Sequence, residues 1–129
     1  MSAQQEPPAV AIARAHVEAW SSHDFDAARR GLAADVEVTS TTTQPIMKDV
    51  HTTGIDEYMR GLIAFAQCVV PGSARVLAST GDERNALLMV TVEGDLGGGK
   101  MTLPAARLYL LDDDGKIRSE QVIFYAAAN

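Results

Sequence analysis

The sequence predicts an α+β domain with its helices on one face of an antiparallel sheet. Three observations lead there. Helical periodicity occurs only before Val70, strand-type sequence runs from Ser73 onward, and short turn signals separate the later strands. Helices first and strands afterwards suit an α+β domain, and short turns between consecutive strands suit antiparallel pairing.

Each element has a local cause. Residues 1–7 are polar or proline and read as a flexible N-terminus, leaving 8–129 as a single domain. Pro8 fits a first helical turn, and Ile12, His16 and Trp20 then recur at i, i+4, i+8 beside Ala13 and Val17. Asp24 can cap a short second helix through Phe25–Arg30. Asp35 to Thr43 is β-branched or small, which suits a strand, and Gln44-Pro45 breaks it. Residues 46–53 are irregular or a short strand. Gly54 opens a third helix with Asp56 and Glu57 in its first turn and a broad apolar face through Tyr58, Leu62 and Phe65. Val70-Pro71-Gly72 ends it. Four strands follow, 74–80, 85–93, 101–111 and 116–125.

Composition excludes several classes of function. The 129 residues are 47% hydrophobic and 22% charged, an ordinary globular balance. The net charge of −6, with no Lys/Arg cluster, argues against nucleic acid and an anionic membrane surface. No apolar run approaches the length of about 18 residues that spans a bilayer. The N-terminus lacks the basic and apolar regions of a secretory signal. A single cysteine, Cys68, precludes an intramolecular disulfide and suits a reducing, cytoplasmic compartment; its place on an apolar helix reads as a buried small hydrophobe.

Familiar motifs fail on inspection. Gly94-x-x-x-x-Gly99-Lys100 is followed by Met101 where a phosphate loop needs a hydroxyl, and it joins two strands. Asp112-Asp113-Asp114-Gly115 would put Leu110 at the first calcium ligand, so it reads as an acidic turn. His16, His23 and His51 lack metal-ligand spacing, and there is no Gly-x-Ser-x-Gly elbow. His23 reads as a solvent contact or helix cap in the turn after the first helix.

The last hairpin carries the chemistry. With a four-residue loop at 112–115, Leu111 faces Lys116 and Arg107 lands directly opposite Glu120. Arg107 lies within an apolar strand, where a buried charge requires a partner. The pair is either a cross-strand ion pair on a solvated or interface face, or an anion clamp with an acid/base group inside a pocket. His16 faces apolar material, either as a hydrogen-bonded core histidine or as a proton donor and acceptor near pH 7. The Tyr58 hydroxyl either reaches the surface or polarises a carbonyl.

The order of motifs resembles the nuclear transport factor 2-like superfamily and, within it, the SnoaL-like proteins. Ala19-Trp20-Ser21-Ser22-His23-Asp24-Phe25-Asp26 is similar to the family's turn after its first helix, and Leu32-Ala33-Ala34-Asp35-Val36 to the entry of its first strand. Gly54-Ile55-Asp56-Glu57-Tyr58 is similar to the start of its third helix, and Asp114-Gly115-Lys116-Ile117 to the turn before its last strand. The resemblance implies a strongly curved antiparallel sheet wrapped as a cone, with three helices closing a pocket. It implies homodimers, and members include polyketide cyclases, ketosteroid isomerases, epoxide hydrolases, dehydratases and non-catalytic binders.

Position by position, the resemblance puts His16 where steroid isomerases carry a tyrosine, Ser40 at the general base and Arg107 at a second aspartate. The isomerase apparatus is therefore absent in its usual form. Epoxide-hydrolase relatives use two carboxylates and an arginine, of which Arg107 and Glu120 supply two members. The candidate catalytic residues are His16, Arg107 and Glu120. Trp20, Ser40, Tyr58, Leu62, Val122 and Phe124 are expected to line the pocket. Two functions follow as expectations. One is an enzyme without cofactor or metal, acting on an apolar carbonyl or epoxide such as a polyketide. The other is a ligand-binding or dimeric assembly module. Both faces of strand 101–111 are mostly apolar, which favours a homodimer in either case.

Overall fold

A computed structural model describes residues 6–42, 49–95 and 97–125. The chain runs α1 (Pro8–Ser21), α2 (Phe25–Arg30), β1 (Leu32–Thr42), β2 (Val50–Thr53), α3 (Ile55–Ala66), β3 (Arg75–Gly81), β4 (Asn85–Asp95), β5 (Lys100–Leu111) and β6 (Ile117–Phe124). The flexible N-terminus expected at 1–7 falls outside the described residues as far as residue 5, as do the Gln44-Pro45 break and residues 46–48.

The six strands form one sheet in the order β2-β1-β6-β5-β4-β3. β3 to β6 form the antiparallel meander that their turns imply. The sheet as a whole is mixed, because β1 joins β6 in parallel while β2 folds back antiparallel on β1. The parallel pair sets Val38 beside Glu120 and Ser40 beside Val122. Residues of the first and last strands thereby share one wall.

α1 packs on β3, β4 and β5, and α3 packs on β1 and β2. Pro8 occupies the first turn of α1, where its missing N–H is harmless. The buried stripe of α1 is Ala9, Ala13, Val17 with Val10, His16 and Trp20, so the helix is rotated relative to a stripe centred on Ile12. The small alanines let the helix sit close on the sheet. The Asp24 carboxylate accepts from Ala27 N–H at 3.2 Å and caps α2 as expected.

α3 stops at Ala66, short of Val70-Pro71-Gly72, because the chain turns early to pair with β4. Val69 bridges Gly94, and Asp95 N–H donates to the Cys68 carbonyl. A Cβ on Gly94 would lie 2.6 Å from that carbonyl oxygen, so the approach requires glycine. Cys68 therefore sits beyond the helix end and is half-buried rather than fully buried within the helix.

Two apolar clusters result. The larger spans α1, α3 and the inward residues of β4 and β5, among them Leu88, Val90, Val92 and Leu103. The smaller is Ala105, Val122 and Phe124, with Val38 and Phe65 against it. Among the described residues no helix is long and apolar enough to cross a membrane.

Candidate functional site

The β5–β6 hairpin decides where the charges meet. Asp112 N–H donates to the Lys116 carbonyl at 2.8 Å, so these two residues close the turn, one position off the expected Leu111–Lys116 pairing. Gly115, at φ 76, supplies the left-handed residue of the three-residue loop. A bulge then opposes Leu110 to Ser119 and Leu111 to Ile117, leaving Arg118 unpaired. Each change slips the register by one residue in the same direction. Arg107 consequently pairs with Val122, and Glu120 with Tyr109. The direct Arg107–Glu120 pairing is thus corrected to a diagonal one. Because the total slip is two, both side chains stay on the inward face.

Arg107 Nη1 lies 3.5 Å from Glu120 Oε2, and both residues are only 3% exposed. This is a buried ion pair, not a solvated one. The guanidinium stands 4.9 Å from the Trp20 ring centre and 5.7 Å from that of Phe124, within cation–π range. Burial works to lower the Arg107 pKa, but Tyr109 and the Glu120 carboxylate outweigh it and the net shift is upward, so the cation is retained. Arg107 Nε and Glu120 Oε2 make no hydrogen bond.

Tyr58 ties this pair to the first helix. Its hydroxyl donates to Glu120 Oε1 at 2.7 Å and lies 2.9 Å from His16 Nε2, all three residues being buried. Burial, reinforced by the Glu120 charge, holds both Tyr58 and Tyr109 well above the ordinary phenol pKa, so both stay neutral. Burial lowers the His16 pKa; Glu120 pulls it back up and Arg107 pushes it further down. The imidazole is neutral at pH 7.

A cavity of ≈ 170 Å³ opens beside these groups. Arg107, Glu120 and Tyr58 are its polar lining, and Val38, Leu62, Phe65, Val122 and Phe124 its apolar walls. Ser40, Val50, Thr52 and Glu57 complete it from β1, β2 and α3. Five of the six residues expected to line a pocket therefore border this one. Trp20 does not: it is fully buried under Arg107 and supports the guanidinium from behind. His16 also stands behind the wall and reaches the cavity through Tyr58.

Sequence reasoning missed Thr52, Glu57 and Phe65 at this cavity. Thr52 and Glu57 carry no periodic signal, and Phe65 reads as one more core residue of α3. His23 caps α3 rather than its own helix: its Nε2–H donates to the Ala66 carbonyl at 2.8 Å and its ring stacks on Phe25. His51 lies on β2, 2.9 Å from Glu37 and exposed. Among the described residues no three His, Cys, Asp or Glu side chains converge to hold a metal ion.

Comparison with known proteins places this geometry in a family. A structure from Kribbella flavida is 28% identical, with a TM-score of 0.74 over 89% of this chain and 84% of that one. An LEH-like epoxide hydrolase from Mycobacterium tuberculosis is 18% identical, with a TM-score of 0.69 over 91% and 82% of the two chains. A putative polyketide cyclase from Sinorhizobium meliloti is 24% identical, with a TM-score of 0.65 over 87% and 93%. The last two likenesses are of fold alone. No curated protein sequence matches. A family model described as the SnoaL-like domain matches residues 13–120, and the chain belongs to that family.

Proposed function

We propose that this protein is a cofactor-independent acid/base enzyme acting on a compact, mainly apolar carbonyl compound. The observation that carries the proposal is the Arg107–Glu120 pair, buried beside an otherwise apolar cavity. Tyr58 occupies Oε1 of Glu120, which leaves Oε2 as the working oxygen. Glu120 takes a proton from the carbon next to the carbonyl, and Arg107 meets the oxygen where negative charge develops. Glu120 then returns the proton at a different position. Ring closure, isomerisation and dehydration share this step. Loss of one charge-stabilising donor typically raises such a barrier by about 3–4 kcal/mol.

The cavity's ≈ 170 Å³ favours a body of about one ring. A dry cavity of about 150 Å³ holds benzene. A polycyclic polyketide would have to extend through the open side. Carbonyl chemistry is favoured over epoxide opening because, among the described residues, Glu120 is the one carboxylate facing Arg107.

The second reading is a ligand-binding or assembly module of the same fold. It is favoured by the mutual pairing of Arg107 and Glu120, which accounts for both charges without a reaction. In either case we read the outward sheet face as a homodimer surface. Leu87 stands opposite Leu108, and Ala106 lies between Met89 and Ile123, with Leu108 and Ile123 exposed. The single cysteine is the ground for a cytoplasmic location.

The test is hydrogen–deuterium exchange at carbon. Small cyclic ketones and aldehydes are screened by thermal shift, where a ligand at about 100 times its Kd adds roughly 2.7 kcal/mol. Hits are then incubated in D2O, and loss of the proton next to the carbonyl is followed by NMR. The enzyme reading expects catalysed exchange that Glu120→Gln abolishes while binding persists. Binding without exchange supports the module instead.

A further inference from the structure

The three side chains behind the cavity wall form a chain in which the position of every proton is dictated. Tyr58 is neutral and has one O–H, which goes to Glu120 Oε1. The Tyr58 oxygen can then only accept from His16, so His16 carries its proton on Nε2. A neutral ring leaves Nδ1 bare, and Nδ1 is buried with no hydrogen bond. A bare, buried nitrogen is a costly arrangement when the other tautomer has a use. Here it has one, because the Ala28 carbonyl of α2 lies where it favours a proton on the ring.

We propose that His16 is a positioning residue whose tautomer follows the charge of Glu120 through Tyr58. With Glu120 charged, protons sit on Tyr58 and on His16 Nε2, and the carboxylate is held by Oε1. When Glu120 gains a proton on Oε1, it donates to the Tyr58 oxygen. Tyr58 then donates to His16 Nε2, and the imidazole carries its single proton on Nδ1, facing Ala28. One proton is taken up in total, and Tyr58 and His16 remain neutral throughout. The chain therefore supports Glu120 with a donor in one state and an acceptor in the other. A fixed donor would oppose the protonated form. The groups facing His16 are Tyr58 from α3, Glu120 from β6, and Arg107 and Tyr109 from β5. Arg107 keeps its charge in both states, so it does not drive the change.

The use of this chain in catalysis rests on Glu120 being the acid/base group proposed above. The coupling itself does not, and its test needs no ligand. The full chain is labelled with 15N-histidine and with 13C at glutamate side-chain carboxyls, and His16→Gln and Glu120→Gln assign the two signals. At neutral pH the His16 pattern is expected to show a protonated Nε2 and a bare Nδ1. On acidification the pattern is expected to invert at the same midpoint as the Glu120 carboxyl signal. In Tyr58→Phe the ring is expected to hold its proton on Nδ1 already at neutral pH and not to respond to Glu120. A proton on Nδ1 of the wild type at neutral pH overturns the proposal. So does a His16 pattern unmoved while Glu120 titrates, or one that still tracks Glu120 in Tyr58→Phe. Should Tyr58→Phe fail to fold, the wild-type titration decides alone. An inverting tautomer without carbon exchange would keep the coupling and remove the enzyme reading; the opposite result would do the reverse.

Discussion

The half of the sheet under α1 and the half facing α3 use the same alternation to opposite ends. Under α1, the inward residues of β4 and β5 are Leu88, Val90, Val92 and Leu103, all fully buried and all apolar. Facing α3, the inward residues of β6 are Glu120, Val122 and Phe124, which meet Ser40, Val38 and a cavity. Arg107 on β5 sits between the two regimes. The first half gains stability from close apolar packing. The second contains a buried ion pair, which seldom stabilises a fold relative to apolar residues of similar volume. The difference shows that the apolar half offsets the cost of the polar one.

Breaking the polar half is expected to have the largest effect. Glu120→Leu strands the Arg107 charge and is expected to cost about 3–5 kcal/mol in urea unfolding. Adding Arg107→Met should recover most of that loss; a double variant no more stable than the single one would mean that the pair does not act as a unit. In the apolar half, Leu88→Ala is expected to cost about 2–5 kcal/mol by transfer and cavity terms, with no second substitution needed to explain it. Tyr58→Phe leaves Glu120 Oε1 and His16 Nε2 without their shared partner, and about 1–3 kcal/mol is expected.

The same residues set a pH dependence. Burial lowers the His16 pKa below its ordinary 6.5, so the unfolded chain takes up a proton before the native one does. The stabilising contribution of the neutral ring is complete above pH 6.5 and is lost as the pH falls from there to the lower native value. A curve of Tm against pH should therefore decline on that acid limb, and His16→Gln should flatten it. An unchanged limb would place the acid sensitivity elsewhere. The smallest effect is expected outside both halves. His51 and Glu37 pair on the exposed surface of β1 and β2, and Glu37→Gln should change stability by no more than about 1 kcal/mol.

Much of the candidate site is legible before folding. Arg107 stands out because an arginine inside an apolar strand has to be paired, and Glu120 is the acid its hairpin brings near. Ser40, Tyr58, Leu62, Val122 and Phe124 follow from strand parity and the apolar face of α3. Trp20 was placed on the lining because periodicity gives a helix face but not a depth. Thr52 and Glu57 stayed invisible because neither position differs from an ordinary surface residue.

Sequence by itself determined the kinds and order of the elements, since helix period, strand propensity and turn residues act over a few neighbours. It also determined that Arg107 points inward, because alternation along one strand does not depend on its partner. Only the tertiary structure decided the pairing. The shorter turn at Asp112–Lys116 and the bulge at Arg118 slipped β6 by two residues, and parity alone kept Glu120 beside Arg107. The parallel placing of β1 on β6 and the contact from His16 through Tyr58 to Glu120 join residues far apart in the chain. Such contacts depend on how whole elements pack, and no local pattern encodes them.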